Sequence, residues 1–261
     1  MSKKSPKRRI LLTNDDGFDA PGLTALIAVA RQIAEEVWIV APKDDHSGVA
    51  QAITLTRPLR CKARGDKAWS VDGMPADCVV LALSHFMKEH RPDFVLSGVN
   101  NGKNIGDDFN SSATMGAAFT SALHGVPSAG ISLDRKSRTE IKWDTARSVL
   151  PDLLDSLMTE GWDSGHPLCI NIPNLETNQI TGTRWTHPAS PTTQSFLVEE
   201  RVDLRETPYF WIYPDKDFSK ADEGSDYAAL KRGEISITPL ALSRGVDVMP
   251  TSFIQKTAND G

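Results

Sequence analysis

Only three of the 261 residues are cysteines, and Cys61, Cys78 and Cys169 are widely spaced among largely apolar neighbours. An odd, scattered set excludes a disulfide framework and a cysteine-rich zinc site, leaving reduced core thiols in a cytoplasmic protein as the expectation. Long apolar runs are missing as well. None approaches the roughly 18 residues of a membrane span, and the basic start MSKKSPKRR leads into only three apolar residues, Ile10 to Leu12. Neither a transmembrane helix nor a signal peptide is expected, and residues 1–8 read as a flexible basic tail. Positive charge is in deficit: 29 Lys and Arg face 34 Asp and Glu, for a net charge of −5. An acidic chain repels a polyanion, which argues against a nucleic-acid polymer as partner but not against a small phosphorylated ligand held through a metal. With 39% apolar and 24% charged residues the bulk of the chain is expected to fold.

What is present is alternation. Arg9 to Thr13 (RILLT) is a compact apolar run, as in a strand buried on both faces of a parallel sheet. Pro21 and Gly22 introduce a helix whose Leu23, Leu26, Ile27, Ala30 and Ile33 share a face, and Val37 to Val40 closes a βαβ unit. Further strands are predicted at Ala52–Arg60, Ala68–Val71, Phe94–Ser97, Ser128–Ser132 and Leu168–Ile172. Helices are predicted at Asp77–Met87, Thr114–His124 and Asp144–Glu160, the last with a kink or break at Pro151. This pattern specifies an α/β fold with a doubly wound, mostly parallel sheet. After about Thr183, Arg184–His187, Val202–Glu206 and Tyr209–Tyr213 read as antiparallel strands, with Pro208 and Pro214 bounding the last. A short helix at Tyr227–Arg232 and a strand at Ile235–Thr238 complete the pattern. The division is a catalytic core over 9–185 and a C-terminal antiparallel extension over 186–261. Its Tyr209–Tyr213 run reads as a core strand or as an exposed arm for assembly, the arm being favoured because an antiparallel extension has no place inside a parallel core.

Ligands of open parallel sheets bind beyond the carboxyl ends of the strands. After the first strand stand Asn14, Asp15, Asp16 and Gly17; after the second, PKDDHSG at 42–48; after the third, GVNNG at 98–102. Adjacent carboxylates at a strand end repel unless a hard cation joins them, and Mg²⁺ or Mn²⁺ favours such oxygen ligands. Helix capping by one Asp is the plain structural alternative. Asn14, Asn101 and Gly102 add polar atoms and tight turns at the same edge. Ser111, Ser112 and Thr114 open a helix, where hydroxyls and free N–H groups cradle phosphate. His46 stands beside Ser47 as a further candidate contact. No G-x-x-x-x-G-K-[ST] or G-x-G-x-x-G stands after the first strand, so a nucleoside-triphosphatase loop and a dinucleotide fingerprint are unsupported.

LLTNDDGFDAPG at 11–22, HSG at 46–48, SGVNNG at 97–102, GDDFNSSATMGAA at 106–118 and SDYAALKRGEISITPL at 225–240 resemble the SurE family of 5′-nucleotidase phosphatases, in order along nearly the whole chain. The resemblance implies a Rossmann-like fold and a metal-dependent phosphomonoesterase acting on nucleoside 5′-monophosphates, sometimes on 3′-nucleotides and short polyphosphate. It implies one divalent ion per subunit, Mn²⁺ or Mg²⁺, held by Asp15, Asp16, Ser47 and Asn100, with Asp15 or Asp16 as base. It also implies a homodimer or homotetramer with exchanged C-terminal segments. Two other classes fit part of the pattern. A phosphoryl-receiver domain shares the paired Asp but needs an acceptor Asp where this chain has Ser97 and Gly98; a non-catalytic nucleotide-binding module differs only in lacking turnover.

Overall fold

The computed structural model describes residues 7–135, 140–243 and 245. Its centre is a sheet of nine strands. In chain order the elements are β1 (Arg9–Thr13), α1 (Pro21–Ile33), β2 (Glu36–Pro42), β3 (Cys61–Gly65), β4 (Ala68–Val71), α2 (Pro75–Leu81), β5 (Phe94–Asn101), α3 (Ala113–Leu123), β6 (Ser128–Leu133), α4 (Trp143–Glu160), β7 (Leu168–Ile172), β8 (Gly182–Trp185), β9 (Thr193–Val202), β10 (Pro208–Asp217), α5 (Asp226–Lys231) and β11 (Glu234–Pro239). The sheet order is β3-β4-β2-β1-β5-β6-β7-β11-β8. From β4 to β7 all neighbours run parallel, while β3 and β11 are antiparallel to β4 and β7.

Alternation along β1 sorts the two cores. Ile10 and Leu12 pack with α1 and α4 on one face, whereas Leu11 packs with Cys78 and Val79 of α2 and Ala117 of α3 on the other. The chain winds outward from β1 through β2 and then returns to its other side at β5. The strand order therefore reverses between β1 and β5, the position where such sheets bind ligands.

Several expectations need correction. Residues 52–60 form no strand, because their amides bond to side chains instead of a ladder: Thr54 N–H to Asp77 Oδ1 and Arg60 N–H to Asp72 Oδ1. The strand is β3, which turns at Gly65 and Asp66 into β4 and leaves Cys61 exposed, unlike the buried Cys78 and Cys169. The predicted 77–87 helix begins at Pro75 and ends in a π turn at Ala82–Phe86. α4 runs as one helix from Trp143 to Glu160 through Pro151, so the chain does not break there; Pro151 stands half-buried on its flank while Leu150, Leu154 and Leu157 fill the core. β8 joins the main sheet parallel to β11, so the expected 186–261 unit is divided: α5 and β11 belong to the core layers. Residues 203–206 are a turn closed on Asp203, and the strand of that region is β9. Pro214 lies inside β10, opposite Phe196, which a two-stranded ribbon tolerates because each strand has a free edge. Residues 1–6 of the predicted tail lie outside the described residues, and Arg8 is anchored to Asp155 at 2.6 Å.

Gly22 fixes how the site's two strand ends meet. A Cβ there would stand 1.9 Å from the Val99 carbonyl oxygen, so α1 starts against β5 only through glycine. Gly22→Ala is expected to destabilise the fold by about 1–3 kcal/mol, as overpacked cores do. Urea unfolding checks this; an unchanged midpoint would contradict the contact.

Candidate functional site

Asp15 leaves β1 almost fully buried, and its Oδ1 accepts a 2.7 Å hydrogen bond from the Thr114 hydroxyl at the start of α3. Asp16 is less buried, and its Oδ2 accepts from the Asn101 backbone N–H at 3.2 Å. The two strand ends are thus tied through this pair. Asn14 braces the turn from within, its Nδ2 donating to the Gly17 carbonyl at 2.8 Å. Burial, with repulsion from Asp16 and Asp45, pushes the Asp15 carboxyl up to about 7 against an ordinary 3.8, and the Thr114 bond opposes this only in part. Burial also raises Asp16.

A cleft of about 690 Å³ gathers Asp15, Ser47, Asn100, Asn101, Gly102, Ser111 and Ser112 on one wall system. Asp16 faces an adjoining recess, with Asn101 shared between the two. Ser47 donates its hydroxyl to Asp45 at 2.7 Å, and Asn100 Nδ2 donates to Gly102 at 2.7 Å, which leaves Asn100 Oδ1 for a ligand. Ser112 caps α3 by accepting from the Met115 N–H at 3.1 Å. Thr114 and Asn14 are fully buried beneath the cleft, so they position the site instead of lining it. His46 gives its backbone N–H to the Asp15 carbonyl, and its ring does not line the cleft.

The donor set fits a hard divalent cation. Asn14 Oδ1 and Asn101 Oδ1 are buried oxygens without a hydrogen-bond partner, beside two carboxylates held close despite their repulsion. Among the described residues no three His, Cys, Asp or Glu side chains converge as ligands, so such an ion would rest on amide and hydroxyl oxygens as well as carboxylates.

The family model of the survival protein SurE matches residues 10–195. The chain belongs to the SurE family. It is 43% identical over 239 residues to the 5′-nucleotidase SurE 1 of Burkholderia lata, covering 92% of each chain. The 5′-nucleotidase SurE of Parvibaculum lavamentivorans is 38% identical over 243 residues, 92% of this chain and 88% of that one. The SurE protein crystal structure from Aquifex aeolicus superposes with a TM-score of 0.79 at 34% identity, over 91% of this chain and 94% of that one.

In this SurE-family site four side chains are added by the fold. Arg135, Lys103 and Lys216 bring positive charge to the cleft, and Asp226, buried under it, accepts from the N–H groups of Gly106 and Ala189 at 2.8 and 2.9 Å. Arg135 stands just beyond the carboxyl end of β6, so the strand-end rule that singles out the loops of β1, β2 and β5 reaches it too. Lys216 carries no local signal, and Asp226 lies within the 225–240 stretch that resembles the family without any role being assigned to it there.

Asp15 makes stability depend on pH. Its folded value of about 7 lies above the ordinary 3.8, so its contribution is full below pH 4 and is lost as pH rises through 7. In chelator, this one group is expected to remove on the order of 4 kcal/mol of stability between pH 4 and pH 8. Asp15→Asn should therefore raise the melting temperature at pH 8 and flatten its pH dependence. A variant that melts below the parent at pH 8 would refute the buried-charge account.

Proposed function

We propose that this SurE-family protein hydrolyses nucleoside 5′-monophosphates to nucleoside and inorganic phosphate, with a divalent cation, Mn²⁺ or Mg²⁺, held by Asp15, Asp16, Ser47 and Asn100. The observation that carries the reading is the convergence of Asp15, Ser47, Asn100, Ser111 and Ser112 on one cleft at the reversal of strand order. The relatives named 5′-nucleotidase SurE support the substrate class. When bound, the cation neutralises phosphoryl oxygens and acidifies water. Ser111, Ser112 and the amides around Gly102 hold the phosphoryl group, and Arg135 meets charge developing on its oxygens. A water attacks phosphorus and its proton passes to a carboxylate oxygen of Asp15 or Asp16; the bond from phosphorus to the nucleoside oxygen breaks with its electron pair on that oxygen, which takes up a proton from the carboxyl or from solvent to leave as the nucleoside hydroxyl. Burial raises both carboxyls above the ordinary carboxylate value, and carries Asp15 to about 7, where such a group exchanges protons near neutral pH. The Thr114 hydroxyl keeps Asp15 Oδ1 occupied, leaving Oδ2 for cation or proton.

The β9–β10 hairpin is read as an assembly arm for a second copy of the chain, in a homodimer or homotetramer with exchanged segments. Phe210, Trp211 and Ile212 expose more than half of their surface on it. No helix among the described residues is long and apolar enough to cross a membrane. The cytoplasm, with reduced thiols, is the proposed location.

Phosphate release from AMP or GMP with Mn²⁺ is the direct test. Excess EDTA should abolish it, and Asp15→Asn should lower kcat/KM at least about 100-fold. Full activity in EDTA would sink the metal role, and AMP-induced thermal stabilisation without release would favour a binder. Replacing Phe210, Trp211 and Ile212 together by serine should reduce the light-scattering mass to one chain. A mass that stays unchanged counts against the arm.

A further inference from the structure

We infer that Lys216 is a positioning residue through which the β9–β10 hairpin sets Ser111 and Ser112 for the phosphoryl group. The inference rests on the phosphatase reading for what the serines bind, and its geometry centres on Asp108. The Asp108 carbonyl accepts from the backbone N–H groups of Ser111 and Ser112 at 3.0 and 2.9 Å, and from the Ser111 hydroxyl at 3.3 Å. Its side chain is held at both oxygens: Oδ2 accepts from the Ile105 N–H at 3.2 Å, and Oδ1 accepts from Lys216 Nζ at 2.5 Å. One residue therefore orders both cleft serines by its carbonyl and is itself held by the hairpin.

The ion pair is shielded, the Lys216 and Asp108 side chains being 11% and 26% exposed. A pair so withdrawn from water keeps strength that a surface bridge loses, and removing one partner strands the other. The same loop is fastened again at Gly106, whose N–H donates to Asp226, the carboxylate that also takes the Ala189 N–H. Ala189 precedes β9, and Lys216 lies near the end of β10. The chain entering the hairpin thus shares the Asp226 carboxylate with the loop, and the chain leaving it holds Asp108 directly, so on this inference a displaced hairpin displaces the serines.

Lys216 also lines the cleft, so its ammonium could touch phosphate directly. A double-mutant cycle separates the roles. In the positioning role, Lys216→Met and Asp108→Asn each raise the KM for AMP and the Kd for inorganic phosphate about tenfold, as expected for loss of one charge-assisted hydrogen bond. The double variant is then no worse than either single one, and kcat changes much less than KM. Lys216→Arg restores most of the loss, and thermal unfolding confirms that every variant is folded. Asp108→Asn with unchanged or tighter phosphate binding would overturn the positioning role in favour of direct contact. Additive losses would overturn it too. A parent protein that hydrolyses no AMP overturns the nucleotidase reading alone, and the phosphate Kd then decides the role of Lys216.

Discussion

The buried carboxylate of Asp15 is the constraint around which this molecule is organised. A parallel sheet places every strand's carboxyl end on one edge, and reversal of strand order between β1 and β5 opens a crevice there. Asp15 sits in that crevice nearly without solvent, next to Asp16, with one neutral hydroxyl as its hydrogen-bond partner at Oδ1. Such an arrangement is unfavourable for an ionised pair, and it persists because β1, β5 and α3 over-determine it. The unpartnered oxygens of Asn14 and Asn101 lie in the same place. Strain of this kind is what a bound cation relieves.

A second level of organisation connects the crevice to the ribbon that projects from the core. Asp226 and Asp108 are both carboxylates with backbone N–H partners, and each reaches chain that flanks the hairpin. The polar loop over 105–112 is consequently not free surface chain. It is suspended between β5, α3, α5 and the base of the hairpin, with Gly106 allowing the close approach of Ala189 and Phe218 that a Cβ would prevent. Rigidity of the phosphate-facing groups is therefore borrowed from elements distant in sequence.

That distance explains what could be read from sequence. β1, β2, β5, β6 and β7 are short apolar runs, and the loops after β1, β2 and β5 carry the polar residues of the site, so local pattern suffices for them. The Ala52–Arg60 stretch alternates like a strand, yet Asp72 and Asp77 take its amides, and competition from a side chain far along the chain has no local mark. β8 and β11 look like part of an antiparallel extension until the chain is seen to return beside β7. Thr114 reads as a phosphate contact because it belongs to a run of hydroxyls at a helix start. Only the fold shows that its hydroxyl is spent on Asp15 while Ser111 and Ser112 face the cleft.

The acidic balance of the chain looks unsuited to a phosphate ligand, and the site shows how the two coexist. Two of the cleft cations are already matched, Lys103 with Asp134 and Lys216 with Asp108. Arg135 stands over Gly102 and acts on Asp16, pulling its carboxyl down against the effect of burial. Against Asp15, Asp16 and Asp45, one guanidinium does not reverse the local field. On the proposed reading the cation does so, and each ligand then raises the affinity for the other, since coupling between two binding events is reciprocal. On that reading phosphate meets a site whose sign the cation has reversed, which would reconcile a repulsive net charge with an anionic substrate.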